Sequence, residues 1–165
     1  MTATKLGTLT VAGLTDARNY CRHIAELLEP GDKVLLSGEL ATGKTTFVQM
    51  FASALGALGP VTSPTFGIAH FYNTPDRSTI LHIDTYRLSG LAEFKDLGLD
   101  EYYPNSITFI EWGDMVAEHL TDYLLLELNR TIDNDDARLI HVFAKGQRWL
   151  DLYVKGSLKL ENLGD

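Results

Sequence analysis

The 165-residue sequence holds a single cysteine, Cys21. One thiol excludes an internal disulfide framework and a cysteine-rich metal centre. Cys21 falls among the apolar positions of a predicted helix, where a buried, inert thiol is expected. Cations are also few. Lysine and arginine total 14 against 22 aspartates and glutamates, a formal net charge of -8. That balance argues against a broad surface for grasping nucleic acid and leaves room only for a local basic patch. The N-terminus lacks the apolar core of a secretory signal, and no run is long enough to span a bilayer. A cytoplasmic protein without membrane contact is therefore expected. His23, His70, His82, His119 and His141 show no zinc-motif spacing, and no repeat or low-complexity tract is present. Apolar residues make up 45% and charged residues 22%, which suits one soluble domain, residues 1–165, with a sizeable core.

Against this background one stretch is chemically specific: Gly38, Glu39, Leu40, Ala41, Thr42, Gly43, Lys44, Thr45 and Thr46. It fits the phosphate-binding loop pattern of glycine, four residues, then Gly-Lys-Thr. The apolar run before it reads as a buried strand over 33–37, and the residues after it read as a helix to Leu55. That strand, loop and helix order is the context the motif requires. The two glycines allow the tight path, so that loop amides and the helix N-terminus converge on phosphate oxygens. Lys44 is placed to reach the β and γ phosphates, and Thr45 to offer its hydroxyl to magnesium.

Further elements follow from periodicity. A weak strand over 6–11 precedes a helix capped by Thr15 or Asp16, with Ala17, Tyr20, Cys21, Ile24, Leu27 and Leu28 as its apolar stripe. Residues 61–66 are polar and proline-containing. Thr62, Ser63 and Thr65 either bring hydroxyls near the phosphates or form a surface turn, and the residues leave both open. Strands are expected over 66–72, 79–83, 106–110, 123–128 and 138–144. One or two short helices over 90–103 are broken at Gly98, with Leu97 and Tyr102 among their inward residues. Further helices are expected over 114–120 and 147–155, the latter turning Trp149, Leu150 and Tyr153 inward. Two acidic residues, Asp84 and Glu111, each close an apolar strand. In open sheets ligands bind beyond the carboxyl ends of strands, so both can reach a metal and an attacking water. His82 lies two residues before Asp84, on the same strand face; it either supports that carboxylate or is simply a packed or surface histidine, and the residues leave both open. Arg87 either meets phosphate or pairs with a local carboxylate.

Five blocks in order resemble the TsaE (YjeE) family of bacterial P-loop ATPases: the phosphate loop through Phe47; residues 61–66; His82-Ile83-Asp84-Thr85-Tyr86-Arg87-Leu88; residues 94–102; and Ile110-Glu111-Trp112. The resemblance implies an α/β nucleotide-binding fold with a mixed sheet, parallel at the centre and antiparallel at the edges, with helices on both faces. It implies that Thr45 and Glu111 help hold magnesium, that Asp84 is the other acidic site residue, that Thr65 is a switch-like threonine and that Trp112 lies close to ATP. It also implies a role in the threonylcarbamoyladenosine modification of tRNA, with the TsaB and TsaD complex as partner. One departure stands in the loop. The family often has Gly-Ala where this chain has Ala41 and Thr42, and the β-branched side chain is expected to alter loop dynamics modestly.

The expected cofactors are thus ATP and Mg2+. Lys44, Asp84 and Glu111 are the catalytic candidates, and the water-orienting base is left open between the two carboxylates. No Asn-Lys-x-Asp guanine signature occurs, which favours ATP over GTP. No residue stands out as an arginine finger, so slow hydrolysis is expected without a partner. Arg130, Arg138, Lys145, Arg148 and Lys155 are candidates for direct RNA contact, although the net charge gives most of that contact to the partners. The alternatives are a small-molecule kinase using Asp84 as base, and a nucleotide-gated binding module without useful turnover.

Overall fold

The computed structural model describes residues 3–39, 41–59, 68–76, 78–86, 88–112 and 114–161, without the side chains of 114 and 115. The chain opens with β1 (Thr4–Val11) and α1 (Leu14–Ala25), followed by β2 (Lys33–Ser37) and α2 (Lys44–Ala54). Then come β3 (Ala69–Asn73), β4 (Thr79–Asp84), α3 (Leu91–Asp96), a 3-10 helix (Leu99–Asn105) and β5 (Ser106–Glu111). The chain continues through α4 (Asp114–Ala117), β6 (Tyr123–Arg130), β7 (Arg138–Lys145) and α5 (Gln147–Val154). The strands form one sheet in the order β1-β7-β6-β2-β5-β4-β3. The central strands β6, β2, β5 and β4 run parallel, while β1, β7 and β3 pair antiparallel. This is the mixed sheet that the resemblance implies.

Alternation along the strands separates two apolar layers. Val34, Leu36, Ile80, Ile107 and Phe109 point towards α1, α2 and α5 in a cluster with Tyr20, Cys21, Phe51 and Trp149. Leu35, Leu81, Ile83 and Ile110 point the other way, against Phe94, Leu99, Tyr103, Val116 and Leu120. Helices thus cover both faces, and β2 is buried along its whole length, as the central strand of a parallel sheet must be. Phe51 of α2 stacks on Phe109 of β5 at 5.1 Å between ring centroids. Such a pair adds about 1 kcal/mol beyond area burial. It fixes the helix that begins at the phosphate loop against the strand that ends at Glu111.

Several local expectations are corrected. The α1 cap is Gly13 rather than Thr15 or Asp16. Asp16 sits in the first turn, and its carboxylate accepts the Ala12 amide at 3.0 Å. In α5 Trp149 and Leu152 are buried, whereas Tyr153 stands at the rim and donates to the Leu6 carbonyl. Leu97 and Tyr102 are exposed as well. Left-handed Gly98 redirects the chain, and Tyr102 packs edge-on against Phe71 of β3 at 5.0 Å. The cysteine is buried as expected, and burial pushes its thiol far above the ordinary range. Among the described residues no helix is long and apolar enough to cross a membrane.

Candidate functional site

The parallel register places Asp84 directly beside Glu111, and Leu36 of β2 lies on the other side of Glu111. Three strand tips therefore converge where the loop leaves β2. The loop is built on close approach. Gly38 has φ +138°, and a Cβ there stands 2.5 Å from the Leu128 carbonyl oxygen. Gly43, at φ 102°, caps α2. Ala41 also adopts a left-handed backbone, φ 64°, at a position where the resembled family often has glycine. A non-glycine residue there costs roughly 1–2 kcal/mol. Thr42, whose β-branch was expected to matter, is buried with its hydroxyl donating to the Glu39 carbonyl. The conformational cost of the departure therefore falls on Ala41. The Gly38→Ala variant is expected to displace the loop, since overpacking plus a strained φ costs about 1–3 kcal/mol, and, if ATP is the ligand the sequence leads one to expect, to weaken its binding at least tenfold. Titration calorimetry checks this.

Lys44 folds back over the loop. Its ammonium donates to the carbonyls of Gly38 at 2.8 Å and Glu39 at 2.9 Å, and lies 3.7 Å from the centre of the Trp112 ring. Burial lowers its pKa, an effect opposed by the charges of Glu111 and Asp84. Thr45 donates to Glu111 Oε1 at 2.8 Å. Trp112 has φ 62°, is held by its amide on the Leu36 carbonyl at 2.7 Å, and is flanked by Tyr86 at 5.3 Å. Thr85 fixes the same turn through the carbonyls of Glu111 and Trp112. Asp84 accepts the Tyr86 amide at 2.9 Å. Burial raises its pKa most, the Tyr86 amide counters this, and the Glu111 charge adds to the rise.

These groups surround a cavity of about 260 Å3 lined by Ala41, Gly43, Lys44, Thr45, Thr46, Asp84, Tyr86, Glu111 and Trp112. Behind the loop lies a recess of about 80 Å3, where Val11, Leu14, Ala17 and Phe47 meet Thr42, Gly43, Thr46, Asp136 and Arg138. Among the described residues no group of three His, Cys, Asp or Glu side chains forms a protein-only metal cage. A hydroxyl and two carboxylates beside a phosphate loop are nevertheless a hard oxygen set. They suit magnesium, which keeps waters and shares its coordination with substrate phosphates.

Most residues expected from the sequence thus meet at one place: Gly38, Glu39, Ala41, Thr42, Gly43, Lys44, Thr45 and Thr46 in the loop, with Asp84, Glu111 and Trp112 facing it. Leu40, Thr62, Ser63, Thr65 and Arg87 lie outside the described residues. The histidine expectation is corrected. His82 Nε2 is 2.5 Å from Glu111 Oε2 and no bond joins it to Asp84. His82 lies opposite Phe109 in the register, and its ring extends diagonally to Glu111 on β5 rather than along its own strand to Asp84.

Four of the five basic residues expected as RNA candidates have intramolecular engagements or are buried. Arg130 donates to the Ala41 carbonyl and Arg138 to the Thr42 carbonyl, each at 2.7 Å, so the β6–β7 hairpin grips the loop. Arg148 clamps buried Asp32 with two bonds, at 2.8 and 2.7 Å, and Lys145 is buried. Of the five RNA candidates only Lys155 is exposed without such an engagement. The roles of Arg130 and Arg138 were missed because their partners lie 89 and 96 residues away. The available signal was their position at the β6–β7 turn, next to the strand that feeds the loop.

A model of the family described as Threonylcarbamoyl adenosine biosynthesis protein TsaE matches residues 11–140. A Streptomyces coelicolor protein named tRNA threonylcarbamoyladenosine biosynthesis protein TsaE is 43% identical over 137 residues, covering 80% of this chain and 93% of that protein. Its namesake in Treponema pallidum is 44% identical over 109 residues, covering 66% of this chain and 79% of that protein. The crystal structure of YdiB from Bacillus subtilis matches with a TM-score of 0.74 at 29% identity, covering 94% of this chain and 95% of that one.

Proposed function

The chain belongs to the TsaE family, and from that membership we propose that it is an ATPase serving the threonylcarbamoyladenosine modification of tRNA, with TsaB and TsaD as its partner complex. The observation that carries the chemistry is the bond from Thr45 to Glu111 at the head of α2, inside the cavity that also holds Lys44 and Asp84. The triphosphate lies over residues 38–46, with loop amides and the positive end of α2 directed at its oxygens. Lys44 exchanges the carbonyls of Gly38 and Glu39 for the β and γ oxygens, and Trp112 gives up its contact with the ammonium. The base takes the recess between Val11, Leu14 and Arg138, whose apolar walls and guanidinium suit a flat, polarisable ring.

Magnesium, if bound with ATP, would supply neutralisation of the phosphate charge. Thr45 and Glu111 are the residues that would hold it. Glu111 is committed to that side by its bond from the Thr45 hydroxyl. Asp84, on the adjacent tip and half-buried, orients the attacking water; its raised pKa reflects a site where a carboxylate is poorly solvated. No arginine lines the cavity among the described residues. Turnover by the free chain is accordingly slow, and the partner complex completes the site.

The test is a reconstituted tRNA modification assay with ATP consumption followed in parallel. The proposal expects modified tRNA over repeated cycles only when this chain is present, and faster ATP hydrolysis with TsaB and TsaD than without them. Equal modification without the chain contradicts the role in tRNA, and equal turnover with and without partners contradicts their part in catalysis. A phosphorylated small-molecule product formed without partners would instead mark a kinase.

A further inference from the structure

We propose that His82 is a positioning residue: its Nε2–H holds the Glu111 carboxylate in the orientation from which it serves Thr45 and the metal. This rests on the reading of the loop as a MgATP site and deepens it. Glu111 is 3% exposed and His82 fully buried, so both side chains are largely withdrawn from bulk solvent. The two carboxylate oxygens are divided. Oε1 accepts from the Thr45 hydroxyl, and Oε2 takes the His82 ring nitrogen. A buried carboxylate with one anchor can rotate about its last torsion, whereas one with an anchor on each oxygen cannot.

The ring's tautomer follows from the same contacts. His82 Nδ1 is buried without a hydrogen-bond partner among the described residues. A hydrogen on Nδ1 would be stranded, while a hydrogen on Nε2 meets Glu111, so Nε2–H is the form that satisfies the pair. The sheet explains why a histidine is placed there. His82 lies opposite Phe109, and Asp84 opposite Glu111, so His82 reaches Glu111 diagonally from deeper in the sheet. It anchors Glu111 on the inward side, while the adjacent Asp84, which lines the same cavity, is the more exposed of the two. Two like charges side by side are thereby given distinct positions. Supporting groups of this kind typically change metal affinity by 10–100-fold when removed.

The experiment compares wild type, His82→Phe and His82→Gln in ATP titrations with magnesium and with excess EDTA. Phenylalanine keeps the ring volume and removes the donor; glutamine offers an amide N–H in place of Nε2–H. The gain in ATP affinity that magnesium confers is expected to fall about tenfold in the phenylalanine variant, with affinity in EDTA unchanged, and to be restored largely by glutamine. Equal magnesium gains in all three proteins overturn the proposal. So does an equal loss in both variants, which assigns the effect to ring packing rather than to the donor.

A readout on the unaltered protein stands whether or not a variant folds. Nitrogen-15 NMR of the His82 ring is expected to show hydrogen on Nε2, slow to exchange, with its resonance moved by Glu111→Gln. Hydrogen on Nδ1 overturns the proposal. Should wild type itself gain nothing from magnesium, the MgATP reading of the loop fails, an outcome distinct from failure of the histidine's role.

Discussion

Lys44→Ala is expected to lower ATP affinity, on the proposed reading of the loop, by at least about 100-fold while the chain stays folded. The ammonium is the one lysine in the cavity, and each charge-assisted bond it makes to phosphate contributes about 1.5–3 kcal/mol. Two such bonds total about 3–6 kcal/mol, and giving up the Gly38 and Glu39 carbonyls offsets part of this, which leaves the loss near the 2.7 kcal/mol that corresponds to 100-fold. A second effect adds to this. In the free protein the ammonium joins the Gly38 and Glu39 carbonyls and lies against Trp112. Without it these loop carbonyls lose their donor and the loop is less well ordered before binding. The core layers do not include Lys44, so circular dichroism should remain that of wild type. Calorimetry measures the affinity; an unchanged value would remove Lys44 from the phosphate site.

Glu111→Gln is expected to separate two quantities that usually move together. Hydrolysis in the presence of TsaB and TsaD is expected to fall about 10–100-fold, the range found when a group that holds or orients a metal is removed. Affinity for ATP in EDTA stays level or rises, because a negative charge beside the triphosphate has been deleted. The amide also disturbs its neighbours. Both carboxylate oxygens now face donors, the Thr45 hydroxyl and the His82 ring N–H, and a glutamine NH2 cannot accept from either. The magnesium-dependent gain in affinity should shrink accordingly. Parallel loss of affinity with and without magnesium would show that Glu111 supports the loop rather than the metal.

The site was legible in the sequence where its signals are local. A glycine pattern between an apolar strand and a helix, and a carboxylate at the tip of each of two strands, are properties of short windows. The sheet merely brought them together. What was not legible depends on register. Asp84 and His82 share a strand face, and the sequence alone points from one to the other. Only the alignment of β4 with β5 shows that the histidine meets Glu111. Likewise the grip of Arg130 and Arg138 on the loop needs β6 beside β2, a parallel pairing between distant segments. Read as charges on a string, those arginines suggested RNA. Read in the fold, they hold the backbone at Ala41 and Thr42. Side-chain burial failed where the helix gave way to a 3-10 turn: Tyr102 was placed inward by helical periodicity and instead packs on Phe71 at the surface.

The most direct measurement is a crystal structure with magnesium and a non-hydrolysable ATP analogue. The account predicts the triphosphate wrapped by residues 38–46, Lys44 on its β and γ oxygens, and the metal on the Thr45 hydroxyl with Glu111 bound directly or through one water. A loop without nucleotide, or a metal remote from both Glu111 and Asp84, would contradict it.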